Sequence, residues 1–115
     1  MTTLELGEYA GRLIREYGGE SAFYGYMGYP GQICVSVNEE VVHGIPGGRR
    51  IELGDIVSVD VGVRFGGYVG DTAATVMVGV ADPEIVRLVR TTEQALRAGI
   101  EKARAGNRLS DISHA

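Results

Sequence analysis

Two aspartates, Asp60 and Asp71, stand eleven residues apart in a stretch whose other side chains are small or apolar. Paired carboxylates can share a proton, bind a cation or simply face water, and which of these applies depends on how the chain brings them together. The stretch Ile56 to Val78 is rich in β-formers and is interrupted once, by Gly66-Gly67. That pair suits the positive φ angles of a two-residue hairpin turn. With Gly66 and Gly67 as the loop, Phe65 faces Tyr68, Gly62 faces Asp71 and Asp60 faces Ala73.

Because successive strand residues point to opposite faces, this register sorts the side chains. One face carries Val57, Val59, Val61 and Val63 with Thr72, Ala74, Val76 and Val78, and is expected to be the core face. The other carries Ser58, Asp60 and Gly62 with Asp71, Ala73 and Thr75. Asp60 and Asp71 become diagonal neighbours, roughly 7–8 Å apart at Cα. At ~5 Å and an effective dielectric of ~20, two charged carboxylates repel by about 3 kcal/mol. Solvation, a retained proton or an intervening cation would each relieve that repulsion.

The remaining reactive residues lie earlier in the chain. His43 precedes Gly44-Ile45-Pro46-Gly47-Gly48, so it is expected at the end of an apolar strand (Val41-Val42) where the chain enters a Gly/Pro loop, a common place for working residues. A lone histidine is more often a packed or solvated residue than a catalyst. Phe23, Tyr24, Tyr26 and Tyr29 crowd a glycine-rich segment, Ser21 to Gly31, which could pack as a loop or wall a ligand pocket. Cys34 is the only cysteine and can form no internal disulfide, consistent with a reducing cytoplasm. His114 has no evident partner.

Several elements must position these residues. Thr2-Thr3-Leu4-Glu5 has the form of a capping box and opens a helix whose apolar face is Leu6, Ala10, Leu13, Ile14 and Tyr17, ended by Gly18-Gly19. Ile33 to Val37 alternates as a strand. Asp82-Pro83 is an N-cap with proline at the first helical position. It opens a long amphipathic helix to about Ala105, with Ile85, Leu88, Val89, Leu96, Ile100 and Ala103 as its inner stripe and Gly106-Asn107 as its close. Ser110-Asp111 begins one further turn. At 115 residues, 44% hydrophobic and 23% charged, the chain suits one domain of α+β class. A net charge of -4 with scattered basic residues argues against nucleic acid. No apolar run approaches a membrane span, and nothing at the N-terminus resembles a signal peptide.

Three blocks carry a resemblance: Gly28-Tyr29-Pro30 leading to Ile33-Cys34; Ser36 through Pro46, with Val37-Asn38-Glu39-Glu40-Val41-Val42-His43-Gly44-Ile45-Pro46 at its heart; and Gly54 through Val61 with Gly67-Tyr68-Val69-Gly70-Asp71-Thr72. Together they resemble the type I methionine aminopeptidases, enzymes of the pita-bread fold, across essentially the whole chain. The resemblance implies that Asp60 and Asp71 ligate a pair of divalent metal ions, with Asp71 bridging both. It implies that His43 contacts substrate beside the scissile peptide nitrogen and that Tyr26, Tyr29 and Cys34 line the pocket for an N-terminal methionine. The implied substrate is the N-terminal methionine of nascent polypeptides. The implied enzyme is cytoplasmic and usually monomeric, with no nucleic-acid or membrane partner. Oxygen ligands with one histidine do not select among Co, Mn, Fe, Ni and Zn.

The match is incomplete. The family's other ligands, one histidine and two glutamates, lie further toward the C-terminus than Ala115, and the helix preceding Thr3 has no counterpart. Residues 1–115 are therefore expected to be the N-terminal part of a pita-bread domain, half of the fold: antiparallel strands and a central hairpin packed on amphipathic helices. Such a piece is expected to bind metal weakly or not at all and to be inactive alone. Two other readings stay open: a pita-bread relative with another substrate, such as a proline-specific aminopeptidase, and a non-catalytic half-domain that binds a partner or pairs with itself.

Overall fold

Thr2 folds the N-terminus as its sequence foretells. Its hydroxyl accepts from Glu5 N–H at 3.2 Å while the Glu5 carboxylate accepts from Thr2 N–H at 2.7 Å, and helix α1 runs Thr3–Glu16. The computed structural model describes residues 1–115. After α1 come β1 (Glu20–Ser21), a single 3-10 turn at Tyr26–Gly28, β2 (Cys34–Val37), β3 (Ile56–Phe65), β4 (Tyr68–Met77), α2 (Pro83–Lys102) and α3 (Leu109–His114). Met1–Val80 and Ala81–Ala115 form two compact units. No helix is long and apolar enough to cross a membrane.

In the first unit β3 is central, and all of its pairings are antiparallel. β4 lies along one side; β1 and β2 lie end to end along the other. The hairpin register is the expected one, with Phe65 opposite Tyr68, Gly62 opposite Asp71 and Asp60 opposite Ala73. Gly66 and Gly67 both take positive φ, as that turn requires. The core is Ile14, Ile33, Val35, Val37 and Val57, with Leu6, Ala10, Val59, Val61, Val63 and Val78 packed against it.

Four expectations need correction. The core face does not extend across the hairpin. Val57 is buried and Val59, Val61 and Val63 half-buried, but every residue of β4 is exposed, because α1 lies over the side of the sheet built by β1 and β2. Tyr17 is not on the buried face of α1 but is exposed beyond its last turn. Val41 and Val42 form no strand. The chain leaves β2 at Asn38 in the left-handed region (φ 54°), the Glu40 carboxylate takes up Val37 N–H at 2.8 Å, and the two valines project into solvent. β1 was not anticipated; it is two residues long, too short for a period to register.

The second unit starts as expected, with the Asp82 carboxylate accepting from Glu84 N–H at 2.8 Å. α2 ends at Lys102, before Ala105, and Gly106 (φ 92°) turns the chain toward α3. Its expected stripe is only partly covered: Ile85 and Val89 are half-buried, Leu88, Leu96 and Ile100 are exposed, and the one buried residue is Gly99, against which Ile112 of α3 packs.

Candidate metal centre

Asp60 lies on the central strand, so it has neighbours on both sides: Cys34 opposite it on β2 and Ala73 opposite it on β4. One position along the pleat, Asp71 faces Gly62. Asp71 lies near enough for its charge to disfavour ionisation of Asp60. Asp60 is raised above the ordinary aspartate value, first by desolvation and then by Asp71; His43 partly opposes the rise. Its Oδ1 is buried and has no hydrogen-bond partner. A buried carboxylate oxygen left unpaired costs free energy unless a proton or a cation meets it.

The loop that carries His43 is clipped back onto β2. Gly44 N–H donates to Ser36 Oγ at 3.0 Å, and Gly44 O accepts from Val35 N–H at 3.0 Å and from the Tyr29 hydroxyl at 3.0 Å. His43 itself sits at φ 61°, in the left-handed region that non-glycine residues occupy at some cost. Asn38 anchors the far end of the loop, accepting from Ile56 N–H at 3.0 Å and donating to Asp55 at 2.8 Å. His43 is thus held exposed on the rim of the carboxylate pair.

Beneath the pair lies a less polar floor. Cys34 is buried, and burial pushes its thiol up, with Tyr29 opposing and the two aspartates reinforcing the rise. Tyr29 is raised chiefly by burial and by Cys34, which matches a hydroxyl already committed to two carbonyls, those of Gly44 and Ile33. Phe23 meets Tyr29 edge to face, with ring centroids 6.5 Å apart, and lies against buried Gly62. Among the residues singled out from sequence, Asp60, Asp71, His43, Cys34 and Tyr29 come together. Tyr26 does not join them; its ring is 66% exposed on the 3-10 turn. Phe23 belongs to the aromatic cluster expected as a loop or pocket wall. Two contributors were missed, Ser36 and Gly44: every residue of β2 is buried, so no alternation singles out Ser36, and only the packing reveals the role of Gly44.

The donor set fits part of a site for a hard divalent cation. Two carboxylates meet on one strand face with one oxygen unsatisfied, yet no three His, Cys, Asp or Glu side chains stand close enough to enclose an ion. The pair also makes a stability prediction. Because the folded-state pKa of Asp60 lies above 3.8, its unfavourable contribution is absent below that pH and grows as pH rises through the folded value. Asp60→Asn should therefore raise the thermal midpoint by a few degrees at pH 7 and leave it unchanged near pH 3. A lower midpoint at pH 7 would show that the pair is not strained.

Comparison with known proteins bears directly on this arrangement. The family model of metallopeptidase family M24 matches residues 1–115. The chain is 48% identical over 115 residues to methionine aminopeptidase 1 of Bacillus subtilis, a match covering 100% of this chain and 46% of that protein. It superposes on the crystal structure of methionine aminopeptidase from Rickettsia prowazekii with a TM-score of 0.95 at 37% identity, covering 99% of this chain and 46% of that one. Prolidase from Pyrococcus furiosus gives a TM-score of 0.83 at 20% identity, a likeness of fold alone. The chain spans about half the length of the curated relatives it matches.

Proposed function

Because the chain belongs to metallopeptidase family M24, and forms half of a pita-bread α+β domain, we propose that it is the part of a methionine aminopeptidase that supplies two metal ligands and one wall of the substrate site. The reaction is hydrolytic removal of an N-terminal methionine from nascent polypeptides. The observation that carries this reading is the carboxylate pair: Asp60 and Asp71 converge on one face of the hairpin with Asp60 Oδ1 unsatisfied.

In this reading Asp60 and Asp71 hold divalent ions, with further ligands needed from outside residues 1–115. The ions, when bound, supply Lewis acidity at the peptide carbonyl and make water more acidic. His43, raised on its clipped loop beside the pair, presents its imidazole to the scissile peptide and steadies charge that develops there. Tyr29 and Cys34 form the floor on which a methionine side chain rests; Tyr26, exposed on its turn, is left out of it. Tyr29 has a second task, since its hydroxyl ties Gly44 to Ile33 and so sets the height of His43. Which of Co, Mn, Fe, Ni or Zn serves is left open by two oxygen donors and an imidazole.

The proline-specific alternative rests on likeness of fold alone, whereas the methionine-specific reading rests on relatives at 44–48% identity. A chimera tests the proposal. Met1–Ala115 would replace the matched 46% of the Bacillus subtilis enzyme, and release of methionine from a Met-Gly peptide would be followed with added Mn or Co. Turnover within about tenfold of the parent enzyme is expected. A folded chimera that leaves the peptide intact, or that prefers an X-Pro peptide, would overturn the reading.

A further inference from the structure

Two residues with polar side chains are buried, Thr3 and Ser36, each 3% exposed. They stand far apart in sequence, on α1 and β2, yet both bond to the loop that carries His43. Ser36 Oγ accepts from Gly44 N–H, directly after the histidine. Thr3 engages both backbone groups of Gly47: its hydroxyl donates to Gly47 O at 3.0 Å and accepts from Gly47 N–H at 2.9 Å. A buried hydroxyl satisfied in this way specifies one arrangement of the backbone around it.

The N-terminus of α1 adds to the hold. The first amides of a helix have no partner inside it. Here Thr3 N–H donates to Arg49 O and Leu4 N–H to Gly47 O, each at 2.9 Å. Pro46 is wedged between the ends of this clamp. A methyl at Gly7 of α1 would come within 3.1 Å of its Cβ and Cγ, and one at Gly31 within 3.0 Å of its Cδ. Gly44 to Gly47 is therefore pinned at both ends, with a proline of fixed φ between them. Every partner in the clamp lies within Met1–Val80.

We propose that Thr3 is a positioning residue for His43, acting through Gly47 and the pinned segment to hold the imidazole beside the carboxylate pair. The inference rests on the role proposed above for His43. The left-handed backbone of His43, φ 61°, persists only while the surrounding bonds over-determine it. Ser36 and Tyr29 fix the peptide that follows; Thr3 fixes the path by which the chain leaves it. With Gly47 released, Ile45 and Pro46 swing and carry Gly44 off Ser36, and His43 relaxes to a commoner conformation. Loss of the Thr3 hydroxyl thus moves the imidazole without removing it. A displacement of about 1 Å costs up to about 100-fold in rate.

Kinetics of the chimera with a Met-Gly peptide, run well below each thermal midpoint, test this. Thr3→Val keeps the shape and removes the hydroxyl; it should lower kcat about 10-fold and leave KM within about twofold. Thr3→Ser, which keeps the hydroxyl, should hold kcat within about twofold of the parent. Gly7→Ala presses on Pro46 and breaks no hydrogen bond, and alanine is the better helix former, so it tests the clamp where Thr3→Val fails to fold. It should lower kcat by about threefold. A cycle with His43→Ala separates positioning from stability. In that background Thr3→Val and Gly7→Ala should each change the residual kcat by less than about twofold, because the group they position is gone. Parent-like kcat in Thr3→Val (or in Gly7→Ala, where Thr3→Val does not fold), or equal losses with and without His43, would overturn the inference. An inactive parent chimera overturns the proposed function itself; an active parent with either of those results overturns this inference alone.

Discussion

Alanine at Asp71 should lower kcat/KM of the chimera by more than about 100-fold while leaving its thermal midpoint unchanged or higher. The two halves of that expectation have one cause. Asp71 is exposed on β4, so removing it opens no cavity, and its charge helps to raise Asp60, so removing it relieves repulsion. Loss of a ligand-supporting residue costs 10–100-fold in metal sites, and loss of a ligand itself costs more. A hundredfold loss is about 2.7 kcal/mol of transition-state stabilisation. A fall in activity with retained stability marks a residue kept for function at the expense of folding. Kinetics with a Met-Gly peptide and a calorimetric melt of the same sample check both halves. Retained turnover, or lost turnover accompanied by a large drop in midpoint, would remove Asp71 from the site.

Gly44→Ala should do the opposite and damage the fold. The glycine is not required for its backbone angle, since its φ is not positive. It is required for space. A methyl at Gly44 would lie 2.8 Å from the Val35 carbonyl carbon and 2.9 Å from Ser36 Cα, and neither can move because both belong to the buried strand β2. The loop must lift instead, breaking the bonds of Gly44 with Ser36, Val35 and Tyr29. Three hydrogen bonds at about 1 kcal/mol each, with overpacking of 1–3 kcal/mol, give a cost of roughly 5 kcal/mol. At ~4 °C per kcal/mol for a chain of this size, the midpoint should fall by more than about 10 °C. Ile45→Ala, at an exposed neighbour, should shift it by less than about 2 °C. If Gly44→Ala melts with the parent, the clip is not what holds His43.

The two substitutions separate what holds the site from what the site contains. Asp71 contributes charge and little packing; Gly44 contributes packing and no charge. His43 depends on the second kind of residue. Its left-handed backbone is tolerated because three bonds to Gly44 fix the next peptide, and Tyr29 supplies one of them from a different segment.

Much of this was legible in the residues themselves. The turn Gly66-Gly67 and the twofold period of the flanking runs set which side chain opposes which, so the meeting of Asp60 and Asp71 followed from local rules. The α1 capping box and the Asp82-Pro83 start of α2 were legible for the same reason: each bond spans at most three residues. The apolar period proved a poorer guide to burial. It marked Thr72, Ala74 and Val76 as core and Leu88, Leu96 and Ile100 as an inner stripe, because a period records which side a residue is on and not whether anything covers that side.

The sequence by itself determined the hairpin, its register and the chemistry of its acidic face, since a two-residue turn leaves no freedom in the pairing. Only the tertiary structure decided that Cys34 lies opposite Asp60, that the Tyr29 hydroxyl caps Gly44, that His43 is strained and that one oxygen of Asp60 is buried alone. Those facts depend on closing the loop between β2 and β3. No local propensity dictates the path of that loop; its hydrogen bonds to Val35, Ser36 and Asn38 do.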